Sequence, residues 1–432
     1  MNAPLMTPQP MKSLDDAMAE LLAQAAPLTQ TESVSTFDAD GRVLSRDVVS
    51  PLQVPPMDNS AMDGYAVRCA DLPAAGTVLP VSQRIAAGAV GTDLAPGTVA
   101  RIFTGAPVPS GADAVVMQED CEVMGEPVEP GGAGLGAVRI QRLPVLGKSI
   151  RRAGEDVALG AVVLPKGTRL TPAELGLAAS IGMDALPVVA RPRVALFSTG
   201  DELVMPGAVP PDQMKPGAIY NSNRFFLRAL LQRLGCVITD FGIVPDQRAA
   251  TLQALRDASL AHDLILTSGG VSVGEEDHVK PAVQELGELN LWQIAIKPGK
   301  PFAYGKIHSP IVKPGPEGAP CHFIGLPGNP VSSFITFVLL VRPFLLKLQG
   351  VQRLAPVPVA LPAHFDWPRA DKRREFLRVR RNAAGGVELF RNQSSGVLTS
   401  TVWGDGVVDV PPGHAIVQGE TVQFISFAEL LA

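Results

Sequence analysis

The chain is poor in the residues that build zinc sites and disulfide frameworks. Its four cysteines, Cys69, Cys121, Cys236 and Cys321, stand apart from one another with no CxxC spacing. This usage argues against a cysteine-based zinc site and is typical of a reducing cytoplasm. The six histidines are scattered, and neither a serine nucleophile elbow nor a cysteine–histidine arrangement stands out.

Long apolar runs and a strong positive charge are also missing. The longest apolar run, residues 334–341, is followed by Arg342 and Pro343, and we interpret it as too short to span a bilayer. The N-terminus lacks the apolar core of a signal peptide. The net charge is −5, which argues against a general nucleic-acid binder. We therefore expect a cytoplasmic protein that binds neither membranes nor nucleic acids.

The common nucleotide-binding signatures are absent as well. The sequence contains no GxxxxGK[ST] motif, which argues against a P-loop NTPase. It also lacks a GxGxxG motif placed after a strand and followed by an acidic residue, which argues against a dinucleotide-dependent oxidoreductase.

Glycine and proline are abundant, with 42 and 40 residues in a chain of 432, and this length predicts three or four domains. A helical stripe opens the chain, short β-prone runs follow, strands alternate with helices from about residue 191, and short β-prone runs return from residue 356. The pattern predicts an elongated N-terminal α+β domain (1–56 and 153–190), an inserted small β domain (57–152), a central three-layer α/β domain (191–349) and a C-terminal β domain (350–432).

Residues 263–277, DLILTSGGVSVGEED, form the first candidate site. A buried strand leads into Ser268, Gly269 and Gly270, where the backbone can turn sharply and bring its N–H groups close to an anion. Asp277 follows as a candidate helix cap and as an oxygen ligand for a hard cation such as Mg²⁺. Taken alone, the segment fits a plain strand-to-helix turn with a solvated acidic cap equally well.

Polar loops follow the neighbouring predicted strands at the carboxyl edge of the same sheet, where ligands bind in such folds. These loops carry Asp201 and Glu202, Asp246 as a predicted helix cap, Lys297 with Lys300, and the turn Pro327-Gly328-Asn329. Two lysines three residues apart can converge on one oxyanion, and the acids would repel that anion unless a divalent cation lay between them. The edge therefore predicts Mg²⁺-assisted chemistry on a phosphate ester or another oxyanion.

Weaker signals lie outside the central domain. Asp63 belongs to a loop rich in proline and aspartate, Thr104 to a proline-stiffened loop, and Arg151 and Asp156 to the charged segment RRAGED. Ordinary Asx turns and surface ion pairs explain these segments as well. In the C-terminal domain, candidates for anion contact are Arg378, Arg391, Ser394 and Ser395, although arginines on strands usually face solvent.

Seven motifs occur in one order: PPMDNSAMDGYAV, FTGAPVPSGADAVVMQED, RRAGED, FSTGDEL, SGGVSVGEED, IKPGKPFAYG and GLPGNPVSS. Together they resemble the MoeA family, whose relatives include the E domain of gephyrin and the plant Cnx-type domain. The resemblance runs from about Ser13 to the C-terminus and is looser beyond about Gly350. It implies a molybdopterin-binding-like central domain and a molybdopterin molybdenumtransferase. Such an enzyme splits adenylylated molybdopterin, releases AMP, and inserts molybdenum from molybdate.

The resemblance also implies roles for individual residues. Asp277 would act in adenylate cleavage and bind Mg²⁺ together with Asp246 and Glu202. The further catalytic residues implied are Asp63, Asp156, Glu202 and Lys297. The implied substrate contacts are Thr104, Arg151, Ser268, Gly269, Gly270, Lys300, Pro327, Gly328, Asn329, Arg378 and Ser395. One departure is Gln293, which stands where relatives can carry lysine, so one positive charge is missing.

The partners that the resemblance implies are a second copy of the chain, a molybdopterin adenylyltransferase and recipient molybdoenzymes, the last two in transient contact. In the homodimer, Asp63, Thr104, Arg151 and Asp156 of one subunit would complete the site of the other. Two alternatives remain. A molybdopterin adenylyltransferase is disfavoured by the additional N- and C-terminal domains. A non-enzymatic gephyrin-like scaffold would need a long linker and a second α/β domain.

Overall fold

The structure, a computed structural model, describes residues 11–125, 135–270, 278–308 and 320–431. The chain divides into two compact units. The large unit comprises Met1–Arg46, Lys166–Thr171 and Ala185–Ala432, and the small unit comprises Asp47–Pro165 and Pro172–Asp184. The boundaries of the four expected domains stay a prediction.

The helices of the described residues, in chain order, are α1 Leu14–Gln24, α2 Pro172–Ser180, α3 Ser222–Arg233, α4 Arg248–Ala261, α5 Val279–Leu286, α6 Pro330–Thr336, α7 Arg342–Leu348, α8 Thr399–Trp403 and α9 Phe427–Leu431. Short 3₁₀ helices cover Thr36–Asp38, Cys69–Asp71, Gln118–Asp120 and Pro211–Gln213, and a π-helical segment covers Phe337–Val341.

The first strands are β1 Thr31–Ser35, β2 Val48–Val49, β3 Asn59–Ser60, β4 Gly64–Val67, β5 Thr77–Ile85, β6 Val99–Ile102, β7 Ala114–Met117, β8 Cys121–Met124, β9 Ala137–Ile140, β10 Ile150–Arg151, β11 Val162–Leu164 and β12 Ala185–Val189. The later strands are β13 Arg193–Thr199, β14 Leu203–Val204, β15 Ile219–Tyr220, β16 Val237–Val244, β17 Leu264–Ser268, β18 Gly287–Gln293, β19 Ile296–Lys297, β20 Pro301–Ile307, β21 Cys321–Leu326, β22 Val359–Pro362, β23 Arg374–Arg381, β24 Val387–Leu389, β25 Gly406–Val410 and β26 Thr421–Ser426.

The central sheet of the large unit has the order β16-β13-β17-β21-β20-β18. The first four strands of that order run parallel, and β20 and β18 run antiparallel to their neighbours. Side chains alternate between the two faces. Leu196 and Leu266 pack with α3, α6 and α7 on one face, whereas Phe197 and Ile265 pack with α4 and α5 on the other. The predicted three-layer α/β architecture is confirmed.

Two further sheets accompany the central one. The small unit contains the sheet β7-β4-β6-β5-β9-β8, whose core includes Val67, Val99 and Val116. The C-terminal part of the large unit contains the sheet β19-β23-β25-β26-β22, with β24 paired to β23. Residues 291–296 do not form one strand: β18 ends at Gln293, and β19 joins the C-terminal sheet by pairing with β23.

Helix starts show how far local sequence signals reach. Ser13 caps α1: its Oγ accepts a hydrogen bond from the N–H of Asp16 at 3.0 Å and donates to Asp16 Oδ2 at 2.6 Å. Asn221 caps α3 in the same way. The prediction that Asp246 caps α4 is wrong. Gln247 takes the N-cap position with an extended backbone and no side-chain cap, so α4 begins only at Arg248.

Residues Pro330–Leu348 form one helical stretch in which the π-helical segment joins α6 to α7. Its mean hydropathy of 1.8 and its length would allow it to cross a membrane, but 94% of it is buried inside the protein. The apolar run of residues 334–341 lies inside this longer helix, which continues through Arg342 and Pro343. The burial is that of a core helix.

Candidate functional site

The carboxyl edge of the central sheet brings three of the predicted loops together. Parallel pairing places Ser198 beside Ser268, and Ser268 beside Leu326. The loops that follow these strands are FSTGDEL, the glycine turn and the turn at 327–329. They are therefore neighbours on one edge, as the strand pattern predicted.

The glycine turn requires its two glycines. Gly269 and Gly270 have φ values of +94° and +68°. A Cβ on Gly269 would lie 2.8 Å from the Thr199 carbonyl oxygen, and a Cβ on Gly270 would lie 2.5 Å from Val279 Cγ2. The Gly269 N–H donates to the Leu326 carbonyl at 3.1 Å, so this amide serves the sheet rather than an anion. The predicted sharp turn of the backbone is present. One of its two glycine N–H groups, that of Gly269, is already hydrogen-bonded within the sheet.

Asn223, which the sequence analysis did not single out, links two of these loops. Its Nδ2 lies 2.7 Å from Ser268 Oγ and 2.7 Å from the Gly328 carbonyl oxygen. Both Asn223 and Ser268 are buried. The available signal was a short polar side chain in the first turn of α3, next to the Asn221 cap.

The predicted acidic ligands lie on adjacent loops. The Asp246 N–H donates to Asp201 Oδ1 at 3.4 Å, so the loops after β13 and β16 meet. The Glu202 carboxylate lies over Gly200, where a Cβ would be 2.5 Å from Glu202 Oε2. Within the described ranges no group of three histidine, cysteine, aspartate or glutamate side chains could hold a metal. Asp277 lies outside those ranges.

The two lysines of the edge have different surroundings. Lys297 Nζ lies 2.8 Å from Glu375 Oε1 and 3.4 Å from Asp371 Oδ2. Glu375 belongs to β23 of the C-terminal sheet, and Asp371 lies in the segment just before that strand. Lys300 is exposed and has no ion-pair partner among the residues that the structure describes. The pKa of Asp371 is held well below its usual range, mainly by hydrogen bonds from Arg373, with a smaller contribution from Lys297. The charge of Lys300 is thus the more available one for a bound anion.

Arg378 and Ser395 have different positions relative to this edge. The Ser395 carbonyl accepts a hydrogen bond from the Val331 N–H at 2.9 Å, which places it beside the start of α6. Arg378 is 1% exposed, so the interpretation as a solvent-facing strand arginine is wrong. Its guanidinium donates to the Phe376 carbonyl at 3.0 Å and to Ser400 Oγ at 3.2 Å. Burial lowers the pKa of Arg378 to about 10.

In the small unit, Asp63 and Thr104 are in direct contact. The N–H and the hydroxyl of Thr104 both donate to Asp63 Oδ1 at 2.8 Å. Both hydrogen bonds lower the pKa of Asp63 below its ordinary value, and the bond from the N–H has the larger effect. Both residues remain accessible to solvent. Thr104 therefore holds the ionised carboxylate of Asp63 in place by two hydrogen bonds.

The charged segment RRAGED packs against the same loop. Arg152 Nη1 lies 2.5 Å from Asp58 Oδ2, and the Ala153 N–H donates to Asp58 Oδ1 at 2.8 Å. Arg151 pairs with Asn59 through β10 and β3. The side chains of Arg151 and Asp156 are exposed. The small unit thus presents Arg151 and Asp156 to solvent beside a loop fixed by Arg152.

A cleft of about 510 Å³ lies elsewhere in the large unit. Its lining includes Asp15, Arg374, Asp409 and His414, and contains none of the predicted site residues. We assign the candidate site to the sheet edge instead, because the glycine turn, hydroxyls and acids lie there. The charged side chains of the cleft are paired with one another, Arg374 with Asp409 and Asp15.

Comparison with known proteins covers nearly the whole chain. Family profiles match the MoeA N-terminal region (domain I and II) at residues 12–182, a probable molybdopterin binding domain at 195–347, and the MoeA C-terminal region (domain IV) at 360–427. A Haemophilus influenzae protein named molybdopterin molybdenumtransferase is 40% identical over 81% of this chain and 80% of its own length. The Mycobacterium tuberculosis molybdopterin molybdenumtransferase 2 is 37% identical over 91% of this chain and 93% of its own length.

A solved structure gives the same result for the fold. The crystal structure of the molybdopterin biosynthesis moeA protein from Pyrococcus horikoshii superposes with a TM-score of 0.79 at 28% identity. The superposition covers 96% of this chain and 100% of that one. The ordered motifs, the sheet-edge site and these matches agree, and the chain belongs to the MoeA family.

Proposed function

We propose that this chain is a molybdopterin molybdenumtransferase, which inserts molybdenum from molybdate into adenylylated molybdopterin and releases AMP. The observation that carries the proposal is the 40% identity over 81% of the chain to a protein of that name. The sheet edge supports it, because loops that are separate in sequence meet there and offer hydroxyls, cations and acids to an anionic substrate. A molybdopterin adenylyltransferase and a gephyrin-like scaffold remain the alternatives.

The chemistry of each residue at the sheet edge indicates its role toward the substrate. Gly269 and Gly270 let the backbone approach the substrate, and Ser268 offers a hydroxyl beside them. Lys300 supplies a positive charge for a phosphate or molybdate oxygen. Holding two reactants in one site supplies much of the reduction of the barrier, which accounts for the number of loops at this edge.

We further propose that the site uses Mg²⁺. The donor chemistry of the residues fits, because carboxylate oxygens on adjacent loops, completed by substrate oxygens and water, are the ligands that Mg²⁺ prefers. Glu202, Asp246 and Asp277 would hold the ion. When bound, it would neutralise charge on the phosphates of the substrate as the adenylate bond breaks.

The test is a single turnover of adenylylated molybdopterin, with and without molybdate and Mg²⁺, in which AMP release and metal in the pterin product are measured. Molybdate-dependent AMP release with molybdenum in the product supports the proposal. Consumption of ATP with molybdopterin would favour the adenylyltransferase. Absence of cleavage would favour a scaffold, which light scattering would then detect as a lattice.

The role of Asp277 is tested in the same assay. Asp277→Ala is expected to abolish adenylate cleavage while the protein stays folded. A matched control is Asp257→Asn, an exposed acid on α4 that hydrogen-bonds Gln253. Wild-type turnover in Asp277→Ala would remove this residue from the mechanism.

We also propose a cytoplasmic homodimer in which the small unit of one copy completes the sheet-edge site of the other. Asp63, Thr104, Arg151 and Asp156 would be the completing residues. The test is co-expression of Asp63→Asn and Asp277→Asn chains. If subunits assort at random, half are heterodimers with one intact site, so activity should recover to about a quarter of the wild-type value. No recovery in an isolated heterodimer would contradict a shared site.

A further inference from the structure

We propose that Asn223 is a positioning residue that orients the Ser268 hydroxyl as a hydrogen-bond donor to a substrate oxyanion. The inference rests on the proposed function for the identity of that anion, a phosphate or molybdate. It is carried by one geometric feature, the contact of a single buried amide nitrogen with two loops of the sheet edge.

The orientation of the Asn223 amide is determined by its partners. Nδ2 lies 2.7 Å from the Gly328 carbonyl oxygen, which can only accept a hydrogen bond. The group that faces Gly328 must therefore be the NH₂ rather than the amide oxygen. The same nitrogen carries a second hydrogen and lies 2.7 Å from Ser268 Oγ. Asn223 is thus the donor in both contacts.

This arrangement determines what Ser268 can do. Because Ser268 Oγ accepts from Asn223, its own hydrogen remains to be donated elsewhere. Among the described residues, Asn223 is the one hydrogen-bond partner of this hydroxyl. A hydroxyl that accepts one hydrogen bond becomes a better donor for the next, because bonds in a chain polarise one another. An oxyanion at the glycine turn is the ligand that such a donor suits.

The position of the two loops supports this assignment. Ser268 is the last residue of β17 and precedes the glycine turn, whereas Gly328 lies between β21 and α6. The Asn223 amide therefore fixes the distance between two loops that the sequence analysis assigned to substrate binding. Asn223 is 8% exposed and Ser268 3% exposed, so neither bond is weakened by bulk water.

The test is a double-mutant cycle with Asn223→Ala, Ser268→Ala and the double variant. Each single change is expected to lower kcat/KM for AMP release about 100-fold, at the lower end of the range found for loss of one preorganised donor. If Asn223 acts through Ser268, the double variant should be no worse than about the worse single variant. Losses that multiply, or wild-type kcat/KM in Asn223→Ala, would overturn the inference.

Two further variants separate positioning from folding. Asn223→Asp keeps the shape of the side chain but replaces the donor by an acceptor that faces the Gly328 carbonyl, so it should reproduce the kinetic loss. Asn382→Asp makes the same chemical change in a turn of the C-terminal part, where Asn382 Oδ1 accepts from Ala384 and Gly386. It is expected to keep wild-type kinetics. A purely structural role would instead give losses of activity that follow losses of unfolding free energy across the set.

A titration with inorganic molybdate distinguishes failure of this inference from failure of the proposed function. If the wild-type protein does not cleave adenylylated molybdopterin, the proposed function fails and calorimetry with molybdate alone decides the inference. About tenfold weaker binding by both Asn223→Ala and Ser268→Ala than by wild type would support it, since one charge-assisted hydrogen bond would be lost. Equal affinity, or no binding by wild type, would overturn it.

Discussion

Lys297 Nζ lies 2.8 Å from Glu375 Oε1, so the first lysine of IKPGKP is paired with a buried carboxylate of the C-terminal sheet. The other oxygen, Glu375 Oε2, accepts a hydrogen bond from Trp367 Nε1 at 2.9 Å. Lys297 therefore has a structural partner as well as a predicted role toward molybdate, and substitutions at this position affect both.

Lys297→Met should lose stability together with activity. The change leaves Glu375 buried without its cation, and we expect a loss of about 2 kcal/mol in the free energy of unfolding, below the usual range for a buried pair because the Lys297 side chain is 39% exposed. Denaturant unfolding measures the stability, and the molybdate dependence of turnover measures the function.

A substitution at Glu375 separates the structural role of Lys297 in the ion pair from its predicted role toward molybdate. Glu375→Gln in the Lys297→Met background removes the unpaired charge, so it should restore most of the stability and none of the molybdate dependence. Recovery of both would show that Lys297 serves only the ion pair. A molybdate dependence of Lys297→Met identical to that of wild type would remove its role toward the anion.

Thr104→Val should raise the pKa of Asp63 toward its ordinary value. The change removes the hydroxyl donor but keeps the N–H donor, so the increase should be partial. The folded-state pKa of Asp63 is lowered, so the stability it contributes is present above the unfolded pKa of about 3.9 and decreases as the pH falls through the folded value. In Thr104→Val the total loss of stability should be smaller and should be complete at a higher pH, because the folded pKa then lies closer to the unfolded one. Carboxyl NMR titration measures the pKa, and Thr104→Ser, which keeps the hydroxyl, is the control whose pKa should not move.

Gly269→Ala should destabilise the protein strongly. Its φ of +94° and the 2.8 Å approach to the Thr199 carbonyl leave no room for a methyl group, and we expect a loss of about 3 kcal/mol. Gly328→Ala is the matched control, because a Cβ there meets no atom within 4 Å. Equal stability of the two variants in denaturant unfolding would contradict the described turn.

Arg378→Leu should act mainly on folding. It leaves the Phe376 and Ser394 carbonyls and the Ser400 hydroxyl without their donor, and we expect a loss of about 3 kcal/mol. Arg391→Leu changes an exposed arginine of the same part of the chain and should alter stability by less than about 0.5 kcal/mol. An Arg378→Leu variant of wild-type stability with a raised KM would instead support direct contact with substrate.

Local signals in the sequence determined much of the architecture. The caps at Ser13 and Asn221, the alternation of apolar residues in the strands, and glycine at the turn after Ser268 act over a few residues, so they can be read along the chain. The order of the strands then placed the predicted loops on one edge, because parallel strands end on the same side of a sheet.

Tertiary structure alone decided which side chains meet there. Asn223 and Gly328 are 105 residues apart, and Lys297 meets Glu375 from another sheet. The burial of Arg378 likewise depends on the carbonyls and the hydroxyl that surround it. Spacing and periodicity report only which face of an element a residue occupies, whereas a hydrogen bond or an ion pair depends on where a distant segment packs.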